Sequence, residues 1–293
     1  MKDATAAPLA EATPPKAGGI GARIASGLIA LPPVLAAIHL GSPAFPALVG
    51  AGVVILWWEW CHLCGRSVRA PASVLGAAVV LAAVAAAAAQ RPGHGLALLA
   101  AGGAIALVWA MTASDKAGDG RSARSWSGSG WIALAVFYIG VPTLLLVWLR
   151  DAAGAMTVYW LFALVWATDT GAYVFGRLIG GPKLAPRVSP KKTWAGLIGG
   201  MVCAAGVGAA FATLPATSHA YGPLAALSSV LAVVAQIGDL FESWVKRRFG
   251  VKDAGGIMPG HGGLLDRVDG LLAAVVAAAV VALLDGERIL VWL

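Results

Sequence analysis

Residues 243–284 read SWVKRRFGVKDAGGIMPGHGGLLDRVDGLLAAVVAAAVVALL, and the change of character partway through decides the fold. From Gly270 to Leu284 no side chain is polar, and the apolar run over 267–284 approaches the roughly 20 residues that a membrane-spanning helix needs. The residues just before it are of another kind. Ser243 to Asp269 sets Lys246, Arg247, Arg248, Lys252, Asp253, His261, Asp266, Arg267 and Asp269 around Gly255, Gly256, Pro259, Gly260, Gly262 and Gly263. Such glycines allow turns and close approach to a ligand, the cations suit phosphates, and the carboxylates suit a hard divalent ion. Asp266 and Asp269 stand three apart, so both point the same way if a helix begins here. This is a reaction centre set at the mouth of a membrane helix.

Working outward, the whole 293-residue chain is 59% hydrophobic and only 12% charged, which is the composition of an all-α, polytopic integral membrane protein. The net charge of +7 does not point to nucleic acid, because that reading needs a basic face on a soluble fold. The cations lie between apolar segments, where they set topology and meet anionic lipid heads or phosphates. A disulfide framework is excluded by three cysteines, one of them inside an apolar run. Cys61-His62-Leu63-Cys64 has half of a zinc motif without the second pair, and reads better as small residues at a helix end.

Residues 1–22 form an expected disordered cytoplasmic tail, rich in Ala, Pro, Thr and Gly, and show no signal-peptide pattern. About nine spans follow, near 24–40, 45–63, 72–90, 95–112, 130–149, 156–176, 194–214, 222–241 and 267–284. They divide into an N-terminal set of helices, 23–150, and an expected catalytic region, 151–293. With the N-terminus cytoplasmic, eighteen of the Lys and Arg residues fall inside and only Arg91, Arg150 and Arg288 outside. That parity brings Asp169, Asp239, Asp266 and Asp269 toward the cytoplasmic face at similar depth. Of the two Gly/Ser-containing loops, 113–129 reads as a solvated connector, whereas 176–193 carries prolines and ordered cations.

An ionisable residue inside the bilayer is costly and is functional by default. Asp169 is one, among Thr168, Thr170, Gly171 and Tyr173; the plainer alternative is a buried hydrogen bond to a neighbouring helix. Asp239 and Glu242 share a helix face, either as an end-of-helix pair or as part of a site with Asp266 and Asp269. Carboxylates gathered in a dry place repel unless a cation sits between them, and oxygen-only donors select magnesium over zinc. Ser189-Pro-Lys-Lys-Thr193 opens the seventh span, so Lys191 and Lys192 are either interfacial anchors or, beyond a Ser-Pro turn at a helix N-terminus, an anion site. Lys246, Arg247 and Arg248 carry the same two readings. His261, in a Gly-rich turn, suits stacking, phosphate hydrogen bonding or base catalysis, whereas His39, His62, His94 and His219 fall at span ends or outside. No G-x-x-x-x-G-K-[ST] loop is present. The residues together describe a cytoplasm-facing centre for a divalent metal and a polyphosphate, hence phosphoryl or nucleotidyl transfer.

The stretch 243–269 resembles the signature of the phosphatidate cytidylyltransferase (CDP-diacylglycerol synthase) family. Ser243, Val245, Lys246, Arg247, Lys252, Asp253, Gly255, Met258, Pro259, His261, Gly262, Gly263, Leu264, Asp266, Arg267 and Asp269 fill its fixed positions in register. The runs at 236–243, 169–173 and 189–193 resemble other landmarks of that family, so the resemblance covers roughly 160–285. One departure is Ala195, where the family usually has Glu. The resemblance implies transfer of the cytidylyl group of CTP to phosphatidic acid, giving CDP-diacylglycerol and pyrophosphate in phospholipid biosynthesis. It implies an integral protein of a bacterial-type inner membrane, facing the cytoplasm, with Mg2+ required, K+ beside it, and a homodimer. The matching metal ligands are Asp239, Asp266 and Asp269, with Lys246 and His261 beside them in catalysis. Nucleotide contacts are expected from Asp169, Ser189, Lys191, Lys192, Thr193, Arg247, Lys252, Gly262 and Gly263. Two other readings stay open: a CTP-dependent lipid-alcohol kinase, and a cation- or proton-coupled carrier using Asp169 and Asp239 as relays.

Overall fold

The structure is a computed structural model that describes residues 31–112, 128–214, 221–255 and 262–284. The expected tail 1–22, nearly all of the connector 113–129, and His261 lie outside the described residues. Nine helices are described: α1 (Leu31–Leu40), α2 (Ala44–Leu63), α3 (Pro71–Ala88), α4 (Pro92–Thr112), α5 (Gly128–Ala152), α6 (Gly154–Leu178), α7 (Trp194–Phe211), α8 (Tyr221–Arg248) and α9 (Leu265–Leu284). Seven of them, α2–α5 and α7–α9, are long and apolar enough to cross a membrane. With 25 residues α6 is also long enough, but Asp169, Arg177 and its Thr and Trp residues dilute its hydropathy. The chain is an all-α polytopic membrane protein.

One short element is not helical. β1 (Lys183–Ala185) pairs antiparallel with β2 (Ser189–Thr193), Lys183 opposite Thr193 and Ala185 opposite Ser189. The Ser-Pro-Lys-Lys-Thr run is therefore an edge strand, not the turn its proline suggests; Pro190 fits because an edge strand does not need every N–H in the ladder.

Small residues set the helix packing. In lipid, helices gain little from hiding apolar area, so close backbone approach decides which surfaces meet. Along α7, Gly196, Gly200, Ala204 and Gly208 are buried and recur every four residues. A Cβ on Gly196 would lie 2.8 Å from the Ala172 carbonyl and one on Gly200 2.9 Å from the Thr168 carbonyl, both on α6. Gly208 is as tight against α8, 2.6 Å from the Leu224 carbonyl. This stripe seats α7 between α6 and α8. Trp160 of α6 pins the group by donating to Ser228 Oγ of α8 (3.0 Å). Among the other helices, α3, α4 and α5 pack together, and α9 touches α2, α5, α6 and α8. At the far end of α5, Arg150 donates to the carbonyls of Ile38 (2.5 Å) and His39 (3.0 Å), closing the C-terminus of α1.

Candidate active site

The site is built on one face of α8. Gln236, Asp239, Ser243 and Lys246 fall at helical spacings of three and four, so they line up along the helix. Ser243 Oγ donates to Asp239 Oδ1 (3.3 Å). Lys192, at the end of the hairpin, reaches across to this face: its Nζ lies 2.6 Å from Asp239 Oδ2 and 2.8 Å from Gln236 Oε1. Gln236 Nε2 in turn donates to Asp169 Oδ1 (3.4 Å). A continuous polar chain thus joins α6, α8 and the hairpin, each link satisfying a group that would be costly alone in an apolar interior.

The second half of the site joins α8 to α9. Lys246 Nζ lies 2.6 Å from Asp266 Oδ1 and is also ion-paired with Glu242, which is wholly buried. Asp266 accepts backbone N–H groups from Gly263 (2.9 Å) and Ala254 (3.2 Å). Its carboxylate therefore ties both ends of the Gly-rich turn to the start of α9. Asp269 is nearly buried and accepts the N–H of Gly270 (2.7 Å). Asp169, Asp239 and Asp269 are close enough to repel one another.

These parts enclose a cavity of about 490 Å3, lined by Asp169, Tyr173, Arg177, Lys191, Lys192, Thr193, Gln236, Asp239, Asp266 and Arg267 together with Leu197 and small residues of α6 and α7. Six of the expected site residues thus meet around one space: Asp169, Lys191, Lys192, Thr193, Asp239 and Asp266. Asp269, Lys246 and Gly263 stand behind that lining, and Ser189, Arg247, Lys252 and Gly262 also fall outside it. Arg247 contacts the carbonyls of Val188 and Val251 at 3.5 Å, bracing the hairpin against α8. Thr193 caps α7 by accepting the Gly196 N–H (3.1 Å), and the Trp194 N–H donates to the Pro182 carbonyl (3.1 Å). With those amides taken, attraction for an anion at this end comes mainly from the two lysines and the helix dipole. A separate apolar groove of about 560 Å3 flanks the opposite face of α8, between α5 and α9.

The donor set matches a hard divalent cation in kind: Asp239 and Asp266 offer carboxylate oxygens to one cavity, with Asp269 adjoining. Among the described residues, no three His, Cys, Asp or Glu side chains are gathered closely enough to form a ready-made metal cluster. Lys192 and Lys246 now occupy the places beside Asp239 and Asp266 that such a cation would share.

Gln236, Arg177 and Glu59 are further parts of the site that sequence reasoning does not pick out, and Arg267, already noted in the 243–269 stretch, takes a place in the cavity lining. Glu59, on α2, is fully buried and accepts the N–H groups of Leu264 (2.8 Å) and Leu265 (2.7 Å) at the start of α9. A signal for it exists, since the rule that marks Asp169 as an acid inside a membrane span marks Glu59 equally.

Residues 21–284 match the cytidylyltransferase family. Over 150 residues the chain is 54% identical to a phosphatidate cytidylyltransferase of Brucella suis, an alignment covering 50% of this chain and 55% of that protein. Over 148 residues it is 40% identical to a phosphatidate cytidylyltransferase of Staphylococcus saprophyticus and 39% identical to one of Staphylococcus aureus, each covering 50% of this chain and 56% of the relative. The chain spans about half the length of the curated relatives it matches. Since the family match runs through all the described helices and the residues that line the cavity, the chain belongs to the cytidylyltransferase family.

Proposed function

We propose that this protein transfers the cytidylyl group of CTP to phosphatidic acid, forming CDP-diacylglycerol and pyrophosphate at the cytoplasmic face of a bacterial-type inner membrane. The observation that carries the reading is the single cavity in which α6, α8, α9 and the hairpin place lysines and carboxylates side by side. Cations opposite carboxylates are what a nucleoside triphosphate and its counter-ion need. Lys191, Lys192, Arg177 and Arg267 are the groups placed to hold the triphosphate and offset charge growing on the pyrophosphate leaving group. The phosphate monoester of the lipid is itself a nucleophile near neutral pH, so attack on the α-phosphorus needs no strong protein base. Asp239 and Asp266, with Asp269 behind them, would hold Mg2+, which supplies Lewis-acid polarisation of the phosphates; K+ and a homodimeric assembly belong to the same proposal.

The test is to incubate purified protein with labelled CTP, phosphatidic acid and magnesium and to identify both products. Labelled lipid with equimolar pyrophosphate, lost on chelation and restored by added magnesium, is the expected result. In a parallel reaction with a lipid alcohol in place of phosphatidic acid, phosphorylated lipid with CDP and no pyrophosphate would establish the kinase instead. Nucleotide-independent ion flux in proteoliposomes would establish the carrier.

A further inference from the structure

Resting on the reaction proposed above, we infer that Glu59 is a positioning residue for it, holding the start of α9 and the Gly-rich turn so that Asp266 faces the cavity. Glu59 belongs to α2, far from the 243–269 stretch in sequence, and is not among the residues that line the cavity. Its two carboxylate oxygens are divided between two successive amides, Oε1 on Leu264 and Oε2 on Leu265. These are among the N–H groups that a helix leaves without intrahelical partners, and an anion there is favoured by the helix dipole as well. In many proteins that place is open to a ligand; here the chain's own carboxylate fills it.

Gly255 and Gly263 fit closely against this carboxylate. A Cβ on Gly255 would sit 2.8 Å from Glu59 Oε1, and one on Gly263 2.9 Å from the same atom. Both ends of the turn therefore press against Glu59, and a side chain at either would collide with it. The neighbours of those glycines finish the connection, because the N–H groups of Ala254 and Gly263 are the ones that grip Asp266. Displacing Glu59 thus frees the two segments that fix the Asp266 carboxylate, without removing any group that would touch CTP.

The experiment compares wild type, Glu59→Gln and Glu59→Asp as full-length proteins in nanodiscs. Each is followed by steady-state kinetics, thermal unfolding, and hydrogen exchange of peptides covering 262–270. Glu59→Gln keeps one acceptor oxygen and loses the charge. It should speed exchange at the start of α9 and lower kcat by about 10- to 100-fold, the usual cost of losing an orienting contact behind a reactive group. The apparent KM for CTP should stay near the wild-type value, since Lys191 and Lys192 are untouched. Glu59→Asp should recover part of the kcat and serves in the same assays if the Gln variant does not fold. A kcat unchanged despite faster exchange overturns the role, and so does a loss of kcat accompanied by equal loosening of every helix. Wild-type protein that makes no CDP-linked lipid overturns the reaction itself, a result distinguishable from either of these.

Discussion

Lys246 stands between Glu242 and Asp266, ion-paired with both, and is nearly buried itself. Replacing one partner of a buried ion group leaves the others uncompensated, which typically costs about 3–5 kcal/mol. Lys246→Met should therefore lower thermal stability in detergent sharply, and adding Glu242→Gln should recover a good part of it by removing the stranded charge. A Lys246→Met protein as stable as wild type would mean that these ion pairs contribute nothing. Asp239 responds differently, because Lys192 retains Gln236 as a partner when Asp239 becomes Asn. Asp239→Asn should keep its unfolding temperature near that of wild type yet lose almost all magnesium-dependent turnover; full activity would take Asp239 out of the reaction. A double-mutant cycle between Lys192→Ala and Asp239→Asn should show a coupling of roughly 0.5–3 kcal/mol in stability, since the two are in direct contact.

At the scale of the helix, the α6–α7 contact decides where Asp169 and Lys192 stand relative to each other. Gly200 lies under the Thr168 carbonyl with no space for a methyl group, whereas a methyl group on Gly206 of the same helix would meet nothing within 4 Å. Gly200→Ala should cost about 1–3 kcal/mol through overpacking. Gly206→Ala should stabilise by roughly 0.5–1 kcal/mol through the lower backbone entropy of Ala. Thermal unfolding of both variants checks the pair, and equal effects would contradict the packing. These elements differ in how far the sequence discloses them. The helices α8 and α9 are legible because charge inside an apolar chain is conspicuous and the spacing of Asp239, Asp266 and Asp269 gives their faces. The hairpin is not, because three- and five-residue strands lack room for an alternating pattern and Pro190 reads as a turn. Gln236 and Glu59 are chemically visible, but their partners, Lys192 and Asp169 for the one and the α9 amides for the other, are set only by which helices pack together.

For the molecule as a whole, the surface that faces the cytoplasm determines whether the cavity can meet a water-soluble nucleotide at all. Arg91 lies in the α3–α4 connection and Arg187 between the hairpin strands, and both are exposed. Three helices, α4, α5 and α6, separate them, so if each crosses the bilayer the two arginines must stand on opposite sides. The orientation proposed above, argued from the uneven distribution of Lys and Arg, puts Arg187 and the hairpin that carries Lys191 and Lys192 inside. The protein suits a labelling test, because Cys61 and Cys64 are buried and only the half-buried Cys203 needs to be replaced first. In spheroplasts a membrane-impermeant maleimide should modify Arg91→Cys and spare Arg187→Cys, and inverted vesicles should give the reverse. The mirrored pattern would turn the cavity away from cytoplasmic CTP and defeat the proposed reaction. Labelling of both from one side would mean that α4, α5 and α6 do not all cross; α6 would be the first to re-examine, since its polar residues make it the least apolar of the three and α5 leads into it through Ala153 alone.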